Sequence, residues 1–407
     1  MADASSCLDP VECGTPPASR SPARIALVLA ALGMGGFAIG VTEFAAMSVL
    51  PAFAVGLGVD EPTAGHVISA YAAGVVVGAP ILAVLGARAP RWLLLIGFMA
   101  LFAVGNGLSA LAPTYEWMLA FRFLSGVPHG AYFGVAALVA ASLVPLRLRS
   151  RAVSTTLLGL TIGTVIGVPA VNAISQAHGW RWTFAIVAGL AVLTMSLIAL
   201  FAPRDPAHRD ATPLRELGAL KSGQVWLTLG VGAIGFGGLF AVYAYLASTL
   251  TAVTGAGPEV LPWVFGVFGL GMVTGNLVAG WAADRFGMPA AGGLLLWSAF
   301  ALALYPFAAP HLWAMFVVVF LIGGGGGLGS VLQTRLMDVA GDAQTLAAAL
   351  NHSAFNFANA LGPLLAGMAV AAGWGWVSTG WVGVGLSLAG FAIWVVAWRT
   401  GRPSRTA

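Results

Sequence analysis

Long apolar stretches constrain this chain more than any other feature. Twelve such stretches of about 20 or more residues lie between short polar breaks, and an α-helix needs about 20 residues to cross a hydrocarbon core of about 30 Å. Charged residues make up only 8% of the chain, against about 25% in soluble domains, which excludes a soluble enzyme. The sequence lacks the alternating pattern of an outer-membrane barrel, so we predict an all-α polytopic membrane protein. The predicted spans are 25–55, 62–86, 92–112, 115–142, 153–175, 182–202, 225–252, 260–282, 290–309, 311–334, 346–372 and 376–398.

Basic residues fall on one side of this predicted topology. Of the 18 Lys and Arg residues, all but Arg122 and Arg181 lie on the side of the two termini. Because basic residues concentrate in cytoplasmic loops, we predict cytoplasmic termini and a location in a bacterial inner membrane. Residues 1–23 lack an apolar centre, so the first span is expected to be retained rather than cleaved. The net charge of +4 comes from scattered residues and does not indicate a nucleic-acid partner.

The chain divides into two similar halves. Gly74-x-x-x-Gly78 in the second span corresponds to Gly271-x-x-x-Gly275 in the eighth at a constant offset. Duplicated six-span halves are typical of transporters that rock about a central site. The predicted domains are a disordered cytoplasmic tail (1–23), a six-helix bundle (24–202), a cytoplasmic linker (203–224), a second, pseudo-symmetric six-helix bundle (225–399) and a cytoplasmic tail (400–407).

No motif indicates a metal or a cofactor. The only cysteines, Cys7 and Cys13, lie in the N-terminal tail, so neither a disulfide framework nor a Cys/His metal site is predicted. Gly324, Gly326 and Gly329 fit a G-x-G-x-x-G pattern, but no strand precedes them, as a dinucleotide site requires. The sequence also lacks a phosphate-binding loop, so we do not expect ATP to drive the protein.

The loop after the eighth span carries a specific motif. Residues 280–287, GWAADRFG, resemble the loop motif of the major facilitator superfamily. The resemblance implies a latch in which Gly280 lets two helices approach, Asp284 and Arg285 pair at the membrane rim, and Gly287 ends the motif. It also implies the twelve-helix major facilitator fold. The equivalent first-half loop carries an alanine in place of the acid and a proline in place of the glycine.

Other motifs resemble those of twelve-span drug:proton antiporters. Leu119-x-x-Arg122-x-x-x-Gly126 is similar to a second superfamily motif, which places an arginine inside the membrane. The fifth span resembles the glycine and proline motif associated with antiporters, through Gly159, Gly163, Gly167 and Pro169. Segments 40–44, 127–131, 333–338 and 351–356 resemble the arabinose-efflux and chloramphenicol-resistance type, and the resemblance extends over about residues 24–399.

Glu43 and Arg122 are the ionisable residues expected at membrane depth. Charges there cost several kcal/mol and are retained mainly for function. Glu43 is therefore a candidate for proton or cation handling, with a structural ion pair to Arg122 as the alternative. Arg122 either tunes Glu43 or bonds carbonyl groups between helices. His129 lies two turns from Arg122 on the same face, where it either contributes to proton coupling or bonds a neighbouring backbone.

Polar residues in the other spans are candidates for a substrate cavity. In the eleventh span His352, Asn356 and Asn359 share one helical face, and Asn351 is adjacent. A lipid-facing row of amides is implausible, so this face either lines a cavity or forms interhelical hydrogen bonds. Thr42 beside Glu43 and Tyr243 in the seventh span are further candidates, although tyrosines in spans often serve packing.

We therefore predict a secondary transporter, not an enzyme, that exchanges a small organic molecule or drug for protons by alternating access. The expected partners are the substrate, protons and the lipid bilayer, and the protein is expected to act as a monomer. An uptake symporter of the same fold is the main alternative. An intramembrane enzyme would need a nucleophile with a base, or a metal cluster, at depth, and the sequence shows neither.

Overall fold

The computed structural model describes residues 21–86, 88–145, 149–204, 220–340 and 344–401. Within these ranges there is no strand, and twelve helices are long and apolar enough to span a membrane, which confirms the predicted class and number of spans. Most of the predicted tails and linker lie outside these ranges. The helices are α1 Pro22–Ser48, α2 Glu61–Leu82, α3 Arg91–Leu111, α4 Tyr115–Ser142, α5 Thr155–His178, α6 Arg181–Phe201, α7 Gly223–Ala244, α8 Pro258–Ala283, α9 Met288–Ala308, α10 Leu312–Val339, α11 Ala349–Trp374 and α12 Ser378–Thr400.

The repeat seen in the sequence is also a repeat of helix packing. A Cβ atom on Gly74 or Gly78 of α2 would overlap the carbonyl oxygens of Phe123 and Val127 in α4. In the second half, Gly271 and Gly275 of α8 lie equally close to the carbonyl oxygens of Phe320 and Gly324 in α10. In both halves, glycines four residues apart let two helices touch through their backbones, as small residues do in membrane helix pairs.

Two equivalent helices are broken at equivalent positions. After α1, the backbone departs from helical geometry at Val49 (φ −108°, ψ 13°) and a short helix, Leu50–Leu57, follows. After α7, Tyr245 has almost the same dihedral angles (φ −111°, ψ 14°), and Leu246–Ala252 follows. In the first half, Pro51 explains the break because proline has no N–H for the helical hydrogen bond.

Proline and glycine also interrupt the helices that carry candidate site residues. The α4 span consists of Tyr115–Gly126 and His129–Ser142, separated at Val127 and Pro128. The α5 span contains a π-helical turn at Gly163–Gly167, directly before Pro169. Such turns are rare and often occur at functional sites.

In the described part of the chain, the two halves meet mainly at three places. The longest contact runs between α2 and α11, and α4 also contacts α11. The second pair is α5 with α8, where Gly266 and Gly269 of α8 lie beside residues 164–169. The third is α1 with α7, and the short helices that follow these two also touch each other. The centre of the molecule is therefore lined by α1, α4, α7 and α11.

The face opposite the termini is closed by contacts between the halves. Ser248, in the short helix after α7, donates a hydrogen bond to the Glu61 carboxylate at the start of α2. Gln176 Nε2 of α5 donates to the carbonyl oxygen of Pro258 at the start of α8, at 2.8 Å. These bonds lie at the same end of the bundle and seal it at two separate places.

The residue before α2 fixes the position of Glu61. Asp60 Oδ1 accepts a hydrogen bond from the backbone N–H of Thr63 at 2.7 Å, which is a typical N-terminal cap. The hydrogen bonds from Thr63 hold the pKa of the Asp60 carboxyl below its ordinary value. Glu61 is the first helical residue, so the cap orients its side chain toward the second half.

Candidate transport site between the two halves

Glu43 lies at depth where the two halves meet. Its side chain is only 7% exposed, and Oε1 accepts a hydrogen bond from Asn359 Nδ2 at 3.0 Å. Glu43 belongs to α1 in the first half and Asn359 to α11 in the second half. A buried carboxyl is costly unless it is paired or hydrogen-bonded, and here the hydrogen-bond donor comes from the opposite half.

Arg122 donates its hydrogen bonds to Thr42, Asn106 and Ser125 of its own half rather than to the Glu43 carboxyl. The side chain is 1% exposed, and its guanidinium donates to Thr42 Oγ1 at 3.0 Å and to Asn106 Oδ1 at 3.3 Å. Weaker bonds go to Ser125 Oγ and to the Thr42 carbonyl. Thr42 Oγ1 in turn donates to Asn106 Oδ1 at 2.7 Å. Arg122 is therefore held by α1, α3 and α4, and its acceptor Thr42 directly precedes Glu43 in the chain.

His129 joins a group of rings that crosses between the halves. Its Nδ1 lies 2.9 Å from the Tyr71 hydroxyl. The centroid of the Tyr71 ring lies 4.4 Å from Cζ of the Arg122 guanidinium. The His129 ring centroid is 6.2 Å from that of His352 in α11. His352 stacks on Phe133 of α4, with centroids 5.0 Å apart and planes inclined by 2°. The structure thus brings His129 and His352 together, although they come from different halves.

Tyr243 packs in an aromatic cluster with Phe44, the residue that follows Glu43. Phe44 of α1 meets Tyr243 edge-on at 5.3 Å, and Phe268 of α8 lies 4.3 Å from Tyr243. Tyr243 is fully buried, and its hydroxyl has no hydrogen-bond partner among the described residues. The cluster joins both halves through aromatic contacts.

The polar face predicted on α11 divides into two kinds of residue. Asn351 Nδ2 donates to Gln333 Oε1 of α10 at 2.6 Å, so it forms an interhelical bond within the second half. Asn356 Nδ2 donates to the backbone carbonyl of His352 at 3.0 Å. The Oδ1 atoms of Asn356 and Asn359 are buried without a hydrogen-bond partner in the described part of the chain. Asn359 therefore donates to Glu43 while its own amide oxygen lacks a partner among the described residues.

The glycines of the antiporter-like motif pack α5 against α1. A Cβ atom on Gly159 would overlap the carbonyl oxygen of Gly33, and one on Gly163 would crowd that of Phe37. Gly167 lies against the side chains of Phe37 and Val41, and Pro169 lies beside α8 in the other half. These three glycines of α5 therefore pack against the segment of α1 that directly precedes Thr42 and Glu43.

The loop motif is described only in part. Among the described residues no atom lies within 4 Å of the Cβ position at Gly280, so its role in helix approach stays a prediction. The close approach of α8 in this structure is made by Gly275 and Gly271, which lie before Gly280 in the same helix. Gly287 ends the helix with φ 63°, a conformation that favours glycine, and Arg285 is exposed. The side chain of Asp284 lies outside the described part of the structure.

Three residues near the site carried no strong sequence signal. Tyr71 is the one Tyr, Phe or Trp of α2, and Phe133 is one of several aromatics in α4; packing is the ordinary role of such side chains in apolar spans. Asn106 is the one amide of α3, and a lone amide in an apolar helix could have indicated a buried polar partner. Their importance depends on α2, α3 and α4 meeting around Arg122.

Comparison with known proteins identifies the family. The sequence model of the Major Facilitator Superfamily matches residues 32–255 and 225–407. The inner membrane transport protein YdhP of Escherichia coli (strain K12) is 37% identical over 355 residues, which cover 87% of this chain and 91% of YdhP. The chloramphenicol resistance protein of Streptomyces lividans is 34% identical, covering 84% of this chain and 88% of that protein.

A solved structure agrees with the fold. The crystal structure of a bacterial homolog of the human lysosomal transporter Spinster, in an inward-facing and occupied conformation, superposes with a TM-score of 0.72 at 16% identity. The alignment covers 95% of this chain and 100% of that chain. Together with the twelve spans and the YdhP relative, these matches make the chain a multi-pass membrane transporter rather than an enzyme. The chain belongs to the major facilitator superfamily of secondary transporters.

Proposed function

We propose that the protein exports a small organic molecule in exchange for protons, and that Glu43 carries the proton. The observation behind this proposal is the hydrogen bond from Asn359 Nδ2 to Glu43 Oε1, because it joins the two halves at a group that can change charge. A transporter that alternates between two conformations needs such a group, since a ligand shifts an equilibrium only by its different affinity for the two states.

Protonation changes the strength of this contact between the halves. A hydrogen bond to an ionised carboxylate contributes about 1.5–3 kcal/mol, whereas a neutral pair contributes about 0.5–1.5 kcal/mol. A proton on Glu43 therefore weakens the contact that Asn359 makes with α1. The bond favours the closed arrangement when Glu43 is ionised and releases it when Glu43 is protonated.

Arg122 supplies a fixed positive charge in this mechanism. Its hydrogen bonds to Thr42 and Asn106 hold its guanidinium against α1 and α3 of the first half throughout the cycle. An arginine stays protonated at ordinary pH, so it is not the proton carrier. Its positive charge favours the ionised form of the nearby carboxyl and so helps Glu43 to release its proton.

The substrate is proposed to bind beside Glu43. Tyr243, Asn356 and Asn359 each have a buried polar atom without a partner among the described residues, and such atoms are costly unless a ligand or water binds them. We assign these three residues and His352 to the substrate cavity. Thr42 and Asn351 bond other side chains in their own halves, and their proposed role is to support the cavity wall.

Two further parts of the cycle follow from the fold and the sequence. The distribution of basic residues supports cytoplasmic termini, so the face sealed by Glu61 and Ser248 is the outer face. The loop motif, with Asp284 and Arg285, is proposed to latch the cytoplasmic face when the outer face opens. The names of relatives support export: one is a chloramphenicol resistance protein. The protein is proposed to act as a monomer.

Reconstituted protein tests the proposal. An export screen in a pump-deficient host, with and without an uncoupler, first finds a transported probe, beginning with chloramphenicol and amphiphilic dyes. Purified protein in vesicles is then given an imposed proton gradient and that probe. We expect Glu43→Gln, which cannot ionise, to abolish gradient-driven transport while the folded protein still binds the probe. Glu116→Gln is the matched control because Glu116 is an exposed acid at the face opposite the termini.

The same vesicles decide between export and uptake. Exchange predicts that protons moving into the vesicles drive the probe out of them. Symport predicts that protons and probe both move in the same direction. If the probe induces the same proton release from Glu43→Gln as from the wild type, Glu43 is not the proton carrier.

A further inference from the structure

A narrow cleft opens on the outer surface of the second half, between α8 and α9. Its volume is about 550 Å³, and its inner end lies against Phe320 and Gly324 of α10. Three of the side chains that line it, Val278, Phe286 and Trp297, are 56%, 53% and 40% exposed, so the cleft faces outward. Because these helices are membrane spans, the surroundings of the cleft are lipid rather than water.

The described lining of the cleft offers no free hydrogen-bonding side chain. Only Thr274 and Trp297 among these residues carry a polar group. Thr274 Oγ1 donates to the Leu270 carbonyl of its own helix at 2.9 Å, and Trp297 Nε1 donates to the Leu321 carbonyl of α10 at 3.0 Å. The part of any occupant that enters the cleft is therefore hydrocarbon, since a polar group there would lose its own hydrogen bonds.

The length of the cleft matches one leaflet of a membrane. The helix of α8 continues to Phe286, and the lining residues on it run from Gly271 to Phe286. Fifteen residues of helix extend over about 22 Å, and half of a bilayer with its headgroups measures about 20–22 Å. The cleft begins near the middle of the span and ends at the rim on the side of the termini.

A positive charge stands at that rim on the same face of the helix as the cleft. Arg285 is exposed, and it follows the lining residues Thr274 and Val278 by eleven and seven residues, close to whole numbers of turns. One turn earlier, Trp281 is 61% exposed, as tryptophans commonly are at the level of lipid headgroups. The position of Asp284 lies about 100° around the helix from that of Arg285.

From this geometry we infer that the cleft binds one phospholipid of the leaflet on the side of the termini, with an acyl chain between α8 and α9 and an anionic headgroup at Arg285. An apolar channel that ends at a cation is complementary to a molecule whose hydrocarbon chain ends in a phosphate. The bound phosphate would neutralise Arg285, one of the two charged residues of the loop motif. The inference goes beyond the proposed transport function and does not depend on Glu43.

Lipid binding by the purified full-length protein is the direct test. The protein is freed of lipid in a mild detergent and titrated with phosphatidylglycerol or with phosphatidylcholine, while native mass spectrometry counts the bound molecules. We expect one tight site that binds phosphatidylglycerol about fivefold more tightly than phosphatidylcholine, because one basic residue near a membrane surface contributes about 1 kcal/mol toward an anionic lipid.

Gly293→Leu fills the cleft from α9. Gly293 is exposed, lines the cleft and has no described atom within 4 Å of its Cβ position, so the new side chain enters the cleft without a clash. We expect this variant to lose the tight site. Thr274→Phe fills the cleft from α8 and should do the same, which covers the case in which Gly293→Leu does not fold.

The matched control for this substitution lies in the first half. Gly97 of α3 is also exposed, has no described atom within 4 Å of its Cβ position, and stands close to the equivalent place in the repeat. Gly97→Leu should bind phosphatidylglycerol as the wild type does. Arg285→Gln should keep the bound chain but bind the two lipids with equal affinity.

The position of the lipid is checked by photolabelling. Phosphatidylglycerol with a diazirine in its acyl chain should label peptides from residues 274–297 in the wild type and in Gly97→Leu, but not in Gly293→Leu. Glu43→Gln should be labelled as the wild type is, so a failure of the proposed transport mechanism can be told apart from a failure of this inference.

Three results would overturn the inference. Equal binding and labelling in Gly293→Leu and the wild type would mean that lipid merely covers the apolar surface. An unchanged preference for phosphatidylglycerol in Arg285→Gln would remove the headgroup site. Displacement of the labelled lipid from the cleft by the transported probe would make the cleft a substrate site instead.

Discussion

Replacing Asn359 by leucine isolates the contact between the halves at Glu43. Leucine has the same branched shape as asparagine but cannot donate a hydrogen bond. In the wild type, the Glu43 carboxylate accepts one from Asn359 Nδ2 at 3.0 Å. A hydrogen bond to an ionised group contributes about 1.5–3 kcal/mol, and about 1.4 kcal/mol corresponds to a tenfold change in an equilibrium. Asn359→Leu should therefore shift the balance between closed and open conformations by about ten- to a hundredfold toward opening.

The shift can be measured as a change in distance between the halves. Spin labels on cysteines that replace Glu116 and His311, both exposed at the face opposite the termini, report whether that face is closed. Pulsed electron–electron double resonance gives the populations of short and long distances between the two labels. The shift should be largest at a pH where Glu43 is ionised and should diminish as the pH falls, because a protonated carboxyl accepts a weaker hydrogen bond.

A neighbouring asparagine provides the control. Asn351 Nδ2 bonds Gln333 within the second half, at 2.6 Å, so Asn351→Leu removes an amide hydrogen bond without touching the seam between the halves. It should lower thermal stability and leave the distance populations unchanged. The reasoning is refuted if Asn359→Leu leaves the populations unchanged, or if Asn351→Leu shifts them equally.

Two more predictions concern packing and the closed face. Gly271→Ala should lower the free energy of unfolding of the purified protein by about 1–3 kcal/mol, because its Cβ would overlap a backbone carbonyl of α10. Gly280→Ala, whose Cβ would meet no described atom, should be neutral or stabilising. Ser248→Ala removes the donor to Glu61 and should speed alkylation of a cysteine placed at buried Ala54, in a chain without its native cysteines. Ser248→Thr should restore the slow rate, and equal rates in all variants would contradict the seal.

The fold follows from the sequence because its strongest signals are long and local. A span of about 20 apolar residues needs no knowledge of its neighbours to be identified. The repeat was also readable, since Gly74, Gly78, Gly271 and Gly275 keep the same spacing and later make the same backbone contacts. A motif, in contrast, specifies residue types without saying which glycine touches the next helix, so the role of Gly280 stays a prediction.

The site was only partly predictable. Depth alone identified Glu43 and Arg122, because each is an ionisable residue in an apolar helix. Their partners could not be predicted, since Asn106, Tyr71 and Asn359 come from helices whose rotation about their own axes is set by packing. A rotation of one helix by a single residue position, about 100°, would have given Glu43 another partner.

The paired breaks at Val49 and Tyr245 indicate how the mouth opposite the termini can move without the rest of the protein. Each break leaves a short helix, Leu50–Leu57 and Leu246–Ala252, and these two contact each other at the closed face. Two such flaps, hinged at symmetric points, could swing apart while the long helices beneath them stay in place. Opening the mouth and rocking the halves would then be two separate motions, and a substrate could wait in a chamber shut at both ends between them.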